Sequence, residues 1–483
     1  MALASNASLQ PHGAAGIMHA MPAVHPPDRQ DSSMPLRLLR RLVEVRPGEA
    51  GALLAGFAYF FCLLCGYYLL RPLRDALGLV GGPGQLQWLF TATFIVMLLL
   101  VPVFGLLAQR WPPRRFVAVI YRFFALNILG FGALFALGVQ ELAVARVFFV
   151  WISVYNLFVV SIFWSVLAEH FSSEQGRRLF GFIAAGGTAG ALAGPALAAL
   201  LSGMGVAWLA VLAALLLELA LQCCRWLQRV APGSGQAMRR RQPLGGDVLA
   251  GARLVLREPY LRGIVAYLLL HSFASTFLYF EQGRIVAASL ADTAARTRLF
   301  ASADLAVSCL SLLLQVAVTG RLLRRFGVVA GLVLLPAAGM AAFAAIAIWP
   351  TLAVLVAAQS LRRAVDYALS RPAREVLFTV LSREAKYKAK SVIETVVYRG
   401  GDAVSGWLAA LAASAGIGFG GVALLWLAPS AGWAALSAWL ARRQERLAAA
   451  GIEQVTAGIQ QATIEPGVVP PPAIRSQDEK PTT

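Results

Sequence analysis

Lysine is nearly absent from this sequence. Four of 483 residues are Lys against 38 Arg, and three of the four fall within residues 386–390. Charge of either sign is scarce, at 14% of residues. A soluble domain carries about 25%, so a water-soluble globular fold is excluded. Strand-type alternation is missing, which excludes a membrane barrel. Only five Cys occur. Cys62 and Cys65 have CxxC spacing, but no second pair or His lies near them in sequence. They read as small packing residues. No GxxxxGK[ST] pattern occurs, so nucleotide hydrolysis is not expected to power any activity. His12, His19 and His25 are too loosely spaced to suggest a metal site. No nucleophile, metal or cofactor constellation stands out, so neither an enzyme nor a cofactor is expected. The first 49 residues have no apolar core of a signal peptide, so the first span is expected to act as the insertion signal.

What is present is apolar. Hydrophobic residues make up 58% of the chain. Runs of about 20 apolar residues can cross a hydrocarbon core of roughly 30 Å as helices. Twelve such spans are expected, near 50–70, 86–108, 115–138, 145–168, 178–202, 205–224, 263–282, 297–318, 327–348, 350–369, 394–414 and 417–440. The span at 394–414 is the weakest, because it holds Arg399 and Asp402.

Arginine marks the cytoplasmic side. The N-terminal tail, connections 2–3, 4–5, 6–7, 8–9 and 10–11, and the C-terminal end are basic. Connections 1–2 (Arg71, Arg74) and 7–8 (Arg284, Arg296, Arg298) break the pattern. The balance puts both termini in the cytoplasm of a bacterial inner membrane. The net charge of +18 is then mostly this bias and not a nucleic-acid surface.

The expected organisation is a basic, disordered N-terminal tail (1–49), a six-helix half (50–225), a basic linker (226–262), a second six-helix half (263–440) and a mostly disordered tail (441–483). Each half has a charged connection between its fourth and fifth spans that leads to a Gly pair, Gly186–Gly187 and Gly400–Gly401. An all-α membrane protein of about twelve helices in two six-helix halves has the layout of the major facilitator architecture. Substrates of such carriers bind near the midplane, between the halves. Gly186, Gly187, Gly190 and Gly194 put small residues on one side of span five, which permits close helix approach.

Charged groups inside spans cost roughly 2.5–3.5 kcal/mol on insertion scales, so they usually face a cavity or a partner. Here they include Arg71, Arg74, Asp75, Arg122, Glu169, Glu281, Asp304, Arg362, Arg363, Asp366, Arg374, Glu394, Arg399 and Asp402. Helical spacing would let Arg71 pair with Asp75, Arg362 with Asp366 and Arg399 with Asp402. Arg74 has no obvious local partner, and Arg122 could reach back to the inner surface. Lys386, Lys388 and Lys390 are either a compact ammonium site or a solvated basic loop. Excess guanidinium in a membrane cavity points to an anionic substrate, because Arg binds phosphate and carboxylate through paired hydrogen bonds.

Three stretches resemble a known family. "YYLLRPLRDALGL" (67–79), "NLFVVSIFWSVLAEHFSSEQGRRLFGFIAAGGTAGALAG" (156–194) and "DYALSRPAREVLFTVLSREAKYKAKSVIETVVYRGGDAVSGW" (366–407) resemble signature blocks of the bacterial and plastid type ATP/ADP translocases. The resemblance implies nucleotide exchange, with a nucleotide-binding cavity. Carried over by position, it implicates Arg74 with Asp75, Glu169, Glu281 and Arg374, and the Lys-x-Lys run at Lys388 and Lys390. Arg74 and Arg374 stand where the family has Lys, which keeps the charge and changes the geometry. Arg71 and Arg74 are expected to flank the cavity, with Pro72 breaking the helix and Asp75 holding Arg71 when the site is empty.

The expected function is therefore secondary transport of an anionic organic phosphate, an ATP/ADP-type antiporter by alternating access. The expected partners are this small anion and the lipid bilayer. A monomer would suffice. The alternatives are a proton-coupled carrier of another organic anion, with Glu169 or Glu281 as the proton site, and a non-transporting membrane scaffold or sensor.

Overall fold

In the computed structural model the described residues are 46, 48–139, 141–231, 248–382, 385, 389–390 and 392–464. Lys386 and Lys388, residues 232–247 of the linker, nearly all of the N-terminal tail and residues 465–483 lie outside them.

Among the described residues the chain is helical throughout. The first half contains α1 (Ala50–Leu77), α2 (Leu86–Arg110), α3 (Pro113–Ala136), α4 (Glu141–His170), α5 (Ser173–Leu201) and α6 (Val206–Val230). A short helix, α7 (Val248–Arg257), lies within the expected linker. The second half contains α8 (Pro259–Ser289), α9 (Thr293–Leu314), α10 (Gly320–Ile348), α11 (Leu352–Val365), α12 (Arg371–Leu377), α13 (Tyr398–Ser414), α14 (Phe419–Leu425) and α15 (Leu427–Ile464). Each of the twelve expected spans coincides with helix. α15 continues to Ile464, past the boundary expected for a disordered tail.

Length and apolarity alone mark eight candidate spans among the described residues, or nine with the bent pair of α14 and the start of α15. One of the eight, Thr293–Ile348, is 56 residues long. At 1.5 Å per residue that is about 84 Å of helix, far more than one crossing needs. Gly327 divides it, with a φ of 65° that only glycine adopts without strain. The helical stretches at spans ten and eleven fail the same test. They carry the charges, and π-turns interrupt them at Asp366–Ser370 and Ile393–Val397.

Large apolar side chains point outward from many helices. Leu126, Leu200 and Val316 are each more than two-thirds exposed. Water would not tolerate so much exposed apolar surface, whereas lipid covers it without penalty. The interior is aromatic: Tyr59, Tyr121, Tyr155 and Phe163 are fully buried in the first half, and Tyr267, Phe343 and Trp433 in the second.

Glycine sets the closest helix contact. A Cβ on Gly190 would lie 2.5 Å from the Phe61 carbonyl oxygen and 2.9 Å from the Cys65 nitrogen. On Gly194 it would lie 2.7 Å from the Cys65 carbonyl oxygen, and on Gly186 it would strike that of Phe57. The backbones of α1 and α5 therefore touch along a seam that no larger residue could form.

The up-and-down order brings residues 78–85, 202–205 and 290–292 to one end of the bundle. Hydrogen bonds between the halves gather toward that end. Arg296 donates to the Leu79 carbonyl at 3.4 Å, Arg298 to Ser202 at 3.2 Å and Trp407 to Thr91 at 3.0 Å.

Candidate functional site

A cavity of about 360 Å³ lies between the halves. This falls within the usual range of small-molecule sites, about 300–1,000 Å³. α1, α2 and α4 line it from the first half, and α8, α9, α11, Arg371 and α13 from the second. Its charged lining holds six Arg (71, 74, 362, 363, 371 and 399) and four Asp (75, 304, 366 and 402). Tyr67, Tyr68, Tyr279, Tyr367 and Tyr398 supply aromatic faces.

Several of the charges are tied across the structure. Asp304 of α9 accepts from Arg363 at 2.7 Å, and its other oxygen lies 3.6 Å from Arg71 of α1. Asp75 accepts from Arg74 Nε at 2.9 Å and from the Tyr279 hydroxyl of α8 at 3.0 Å. Arg74 also donates to Ser153 of α4 at 3.2 Å. Asp366 sits 3.5 Å from Arg371 and 4.0 Å from His271. Asp402 accepts from Ser272 and, at 3.5 Å, from Thr276. The Arg371 guanidinium lies over the Tyr367 ring at 4.2 Å.

Arg362 is different. It is 4% exposed. Its contacts are neutral: it donates to Gln359 at 3.3 Å and to Ser275 at 3.5 Å. No carboxylate among the described residues lies within ion-pair distance of it. A buried guanidinium without an ion-pair partner keeps much of its desolvation penalty, which an anion in the cavity would relieve.

The structure revises the local pairings expected from helical spacing. Arg71 faces Asp304, and Asp75 is held by Arg74 and Tyr279. Asp366 faces Arg371 and His271, and is not bonded to Arg362. Arg122 meets Glu218 of α6 at 3.3 Å. Side chains at i and i+4 share a helix face, but a partner on a packed neighbouring helix can lie nearer. Pro72 does not end its helix. α1 runs through it to Leu77, because the loss of one backbone donor is tolerated in a well-packed membrane helix.

Of the substrate-binding residues expected from the sequence, the structure brings Arg71, Arg74 and Asp75 to the cavity, together with the span charges Asp304, Arg362, Arg363, Asp366, Arg399 and Asp402. The others occupy different places. Glu169 closes α4, and one of its carboxylate oxygens is buried without a hydrogen bond. Glu281 is buried and takes a hydrogen bond from Arg284 Nε at 2.9 Å. Arg374 lies on α12 with one terminal nitrogen buried and unbonded. Lys390 bonds Glu375 at 2.8 Å and lies 3.6 Å from Glu394. These four are outside the cavity lining, and Lys388 is outside the described residues. Arg371, His271 and Tyr367 gave no signal beyond their residue types. Among the described residues, no group of three or more His, Cys, Asp or Glu is placed to hold a metal ion.

The fold can now be compared with solved structures. One is the nucleoside transporter NupG, with a TM-score of 0.56 at 13% identity over 82% of this chain and 98% of that one. This is a major-facilitator-like fold. A bacterial homologue of the iron transporter ferroportin, in an inward-facing state, gives 0.57 at 14% identity over 82% and 98%. An auto-inhibited POT family peptide transporter gives 0.53 at 13% over 82% and 96%. At these identities the likeness establishes the fold alone. No protein-family model matches the chain, and no curated protein matches it by sequence.

Proposed function

We propose that this major-facilitator-like protein is a secondary transporter of an organic phosphate anion, working by alternating access around the arginine-lined cavity. The observation that carries this reading is Arg362, a buried cation in a shared cavity with no carboxylate within ion-pair distance among the described residues. Six Arg against four Asp leave the cavity positive. The aromatic lining favours a planar ring system alongside the phosphate. A nucleotide combines both, in keeping with the resemblance to ATP/ADP translocases, and exchange of ATP for ADP is the specific activity we assign. The NupG comparison agrees with a nucleobase-sized ligand, and the guanidinium excess here favours the phosphorylated form over the free nucleoside.

In the proposed orientation the basic connections face the cytoplasm. The bonded end, with Arg296 and Arg298, then faces outward and is closed. Reorientation of the halves would open it and close the other end.

A second, proton-coupled reading rests on Asp402. It lies in the cavity, is bonded by hydroxyl groups, and has no Arg within ion-pair distance among the described residues. Protonation of such a carboxylate would break no ion pair.

Ligand-induced thermal stabilisation of the purified protein tests the substrate class. ADP and ATP are expected to raise Tm with the logarithm of their concentration above Kd, while adenosine and simple carboxylates leave it unchanged. Stabilisation by adenosine equal to that by ADP would contradict the phosphate reading.

A further inference from the structure

Asp304 does more than offset charge. Its carboxylate spans the two halves unequally. One oxygen is bonded firmly within its own half, 2.7 Å from Arg363. The other lies 3.6 Å from Arg71 of the first half and makes no hydrogen bond. The Asp304 side chain is 4% exposed, so its carboxylate is shielded from bulk water. Among the described residues, no other carboxylate lies within ion-pair distance of Arg71 or Arg363. Asp75 does not share this part, because it is bonded to its own neighbour Arg74.

A negative group with one oxygen toward each of two guanidinium groups of opposite halves is what a bound phosphate or carboxylate would supply. We infer that Asp304 is a tethered stand-in for the substrate anion: it occupies the Arg71–Arg363 position in the empty carrier and is displaced when substrate arrives. This deepens the transport reading and rests on it for the identity of the displacing anion.

The consequence concerns the empty carrier. A buried guanidinium left without a partner resists enclosure. With Asp304 in place, Arg71 and Arg363 are compensated without substrate, which lowers the penalty for reorienting the empty halves. Asp304 therefore sets the balance between net transport and strict exchange. Without its charge, the carrier should move only when loaded. The substrate would also no longer compete with an internal anion, so its apparent affinity should rise.

The test needs no knowledge of the substrate. Spin labels are placed at Val139→Cys and Pro350→Cys, in a background with the native cysteines replaced. Both sites are exposed, in first-half and second-half connections. Distances between them are measured by pulsed electron resonance in the ligand-free protein in lipid nanodiscs. Unsubstituted Asp304 is expected to give two distance populations. Asp304→Asn is expected to leave one, with the minor population at least tenfold reduced, and Asp304→Glu to retain both. Millimolar pyrophosphate added to Asp304→Asn should restore the second population. If Asp304→Asn does not fold, the Arg71→Gln/Asp304→Asn/Arg363→Gln protein, in which the carboxylate and both guanidinium groups are neutral, carries the test and is expected to show both populations.

A ligand-free distribution in Asp304→Asn identical to that with Asp304 would overturn the inference. So would a single population in the triple variant. Failure of pyrophosphate to restore the second population, with the ligand-free difference intact, would instead count against the phosphate reading of the cavity. In vesicles that do transport, Asp304→Asn should keep exchange while net uptake falls at least tenfold. An equal fall in both would mean that Asp304 is merely structural.

Discussion

Arg296 of the second half donates to the backbone carbonyl of Leu79 in the first, across 217 residues of chain. The same guanidinium also bonds the Leu290 carbonyl at 2.8 Å, and the residue is buried. Arg298, one half-turn on, reaches Ser202 at 3.2 Å. These arginines broke the charge pattern of the connections. Their place in the fold gives the reason: they serve as fasteners between the halves, not as topology signals.

Removing the fasteners should open that end. A hydrogen bond from a charged group contributes roughly 1.5–3 kcal/mol. The Arg296→Ala/Arg298→Ala protein is therefore expected to shift its conformational equilibrium by about tenfold or more toward the state open at this end. Alkylation of a cysteine introduced in the cavity at Asn156, by an impermeant reagent added outside intact cells, measures it. Unchanged labelling would mean that the bonds do not hold the end closed.

The glycine seam gives a stability expectation with an internal control. A Cβ at Gly190 meets backbone atoms of α1, which cannot move aside as a side chain can. Gly190→Ala is expected to destabilise by about 1–3 kcal/mol, as overpacking does. Gly181, on the same helix, has open space around it. Gly181→Ala should be neutral or stabilising by up to about 1 kcal/mol, from helix propensity. Thermal melts in one detergent compare the two.

Glu49 sets an acid limit at the start of α1. Burial alone would push its carboxyl up. Hydrogen bonds from the Arg178 side chain, the Arg46 backbone and Gln175 outweigh that and hold it at about 2. The folded form is thus the weaker base, and its unfolded counterpart titrates near 4.5. The stability Glu49 contributes is complete above 4.5 and is lost as pH falls toward 2. Glu49→Gln should lower Tm by roughly 2–4 °C at pH 7 and by less as pH falls through this window. A deficit that does not shrink on acidification would contradict the assignment.

Much of the fold was legible because apolar run length and the small-residue face of α5 are local properties. Spans ten and eleven were harder. Their charges lower hydropathy, and only the three-dimensional arrangement shows that those charges turn inward to a shared cavity. Within the site, Arg71, Arg74 and Asp75 stood out because charges follow an apolar run directly. Their partners did not. Asp304 lies 233 positions from Arg71, and helical spacing offered Asp75 as the nearer choice. Arg362 was visible as a charge within a span. That no described carboxylate comes within ion-pair distance of it emerges only when each neighbouring helix is in place. The family resemblance pointed to Glu169, Glu281 and Arg374 through position in a motif, and the structure sets these away from the cavity lining.

Arg362 bears most directly on the central claim, and counterflow in proteoliposomes is the measurement. Vesicles loaded with unlabelled ADP are given labelled ATP outside, with and without a protonophore. The expected result is uptake that rises with internal ADP, resists the protonophore, and falls at least tenfold in Arg362→Gln, with Arg362→Lys recovering only part because a lysine cannot bind a phosphate in two-point fashion. Uptake in Arg362→Gln equal to that of the unsubstituted protein, or no nucleotide uptake by correctly inserted protein, would contradict the account.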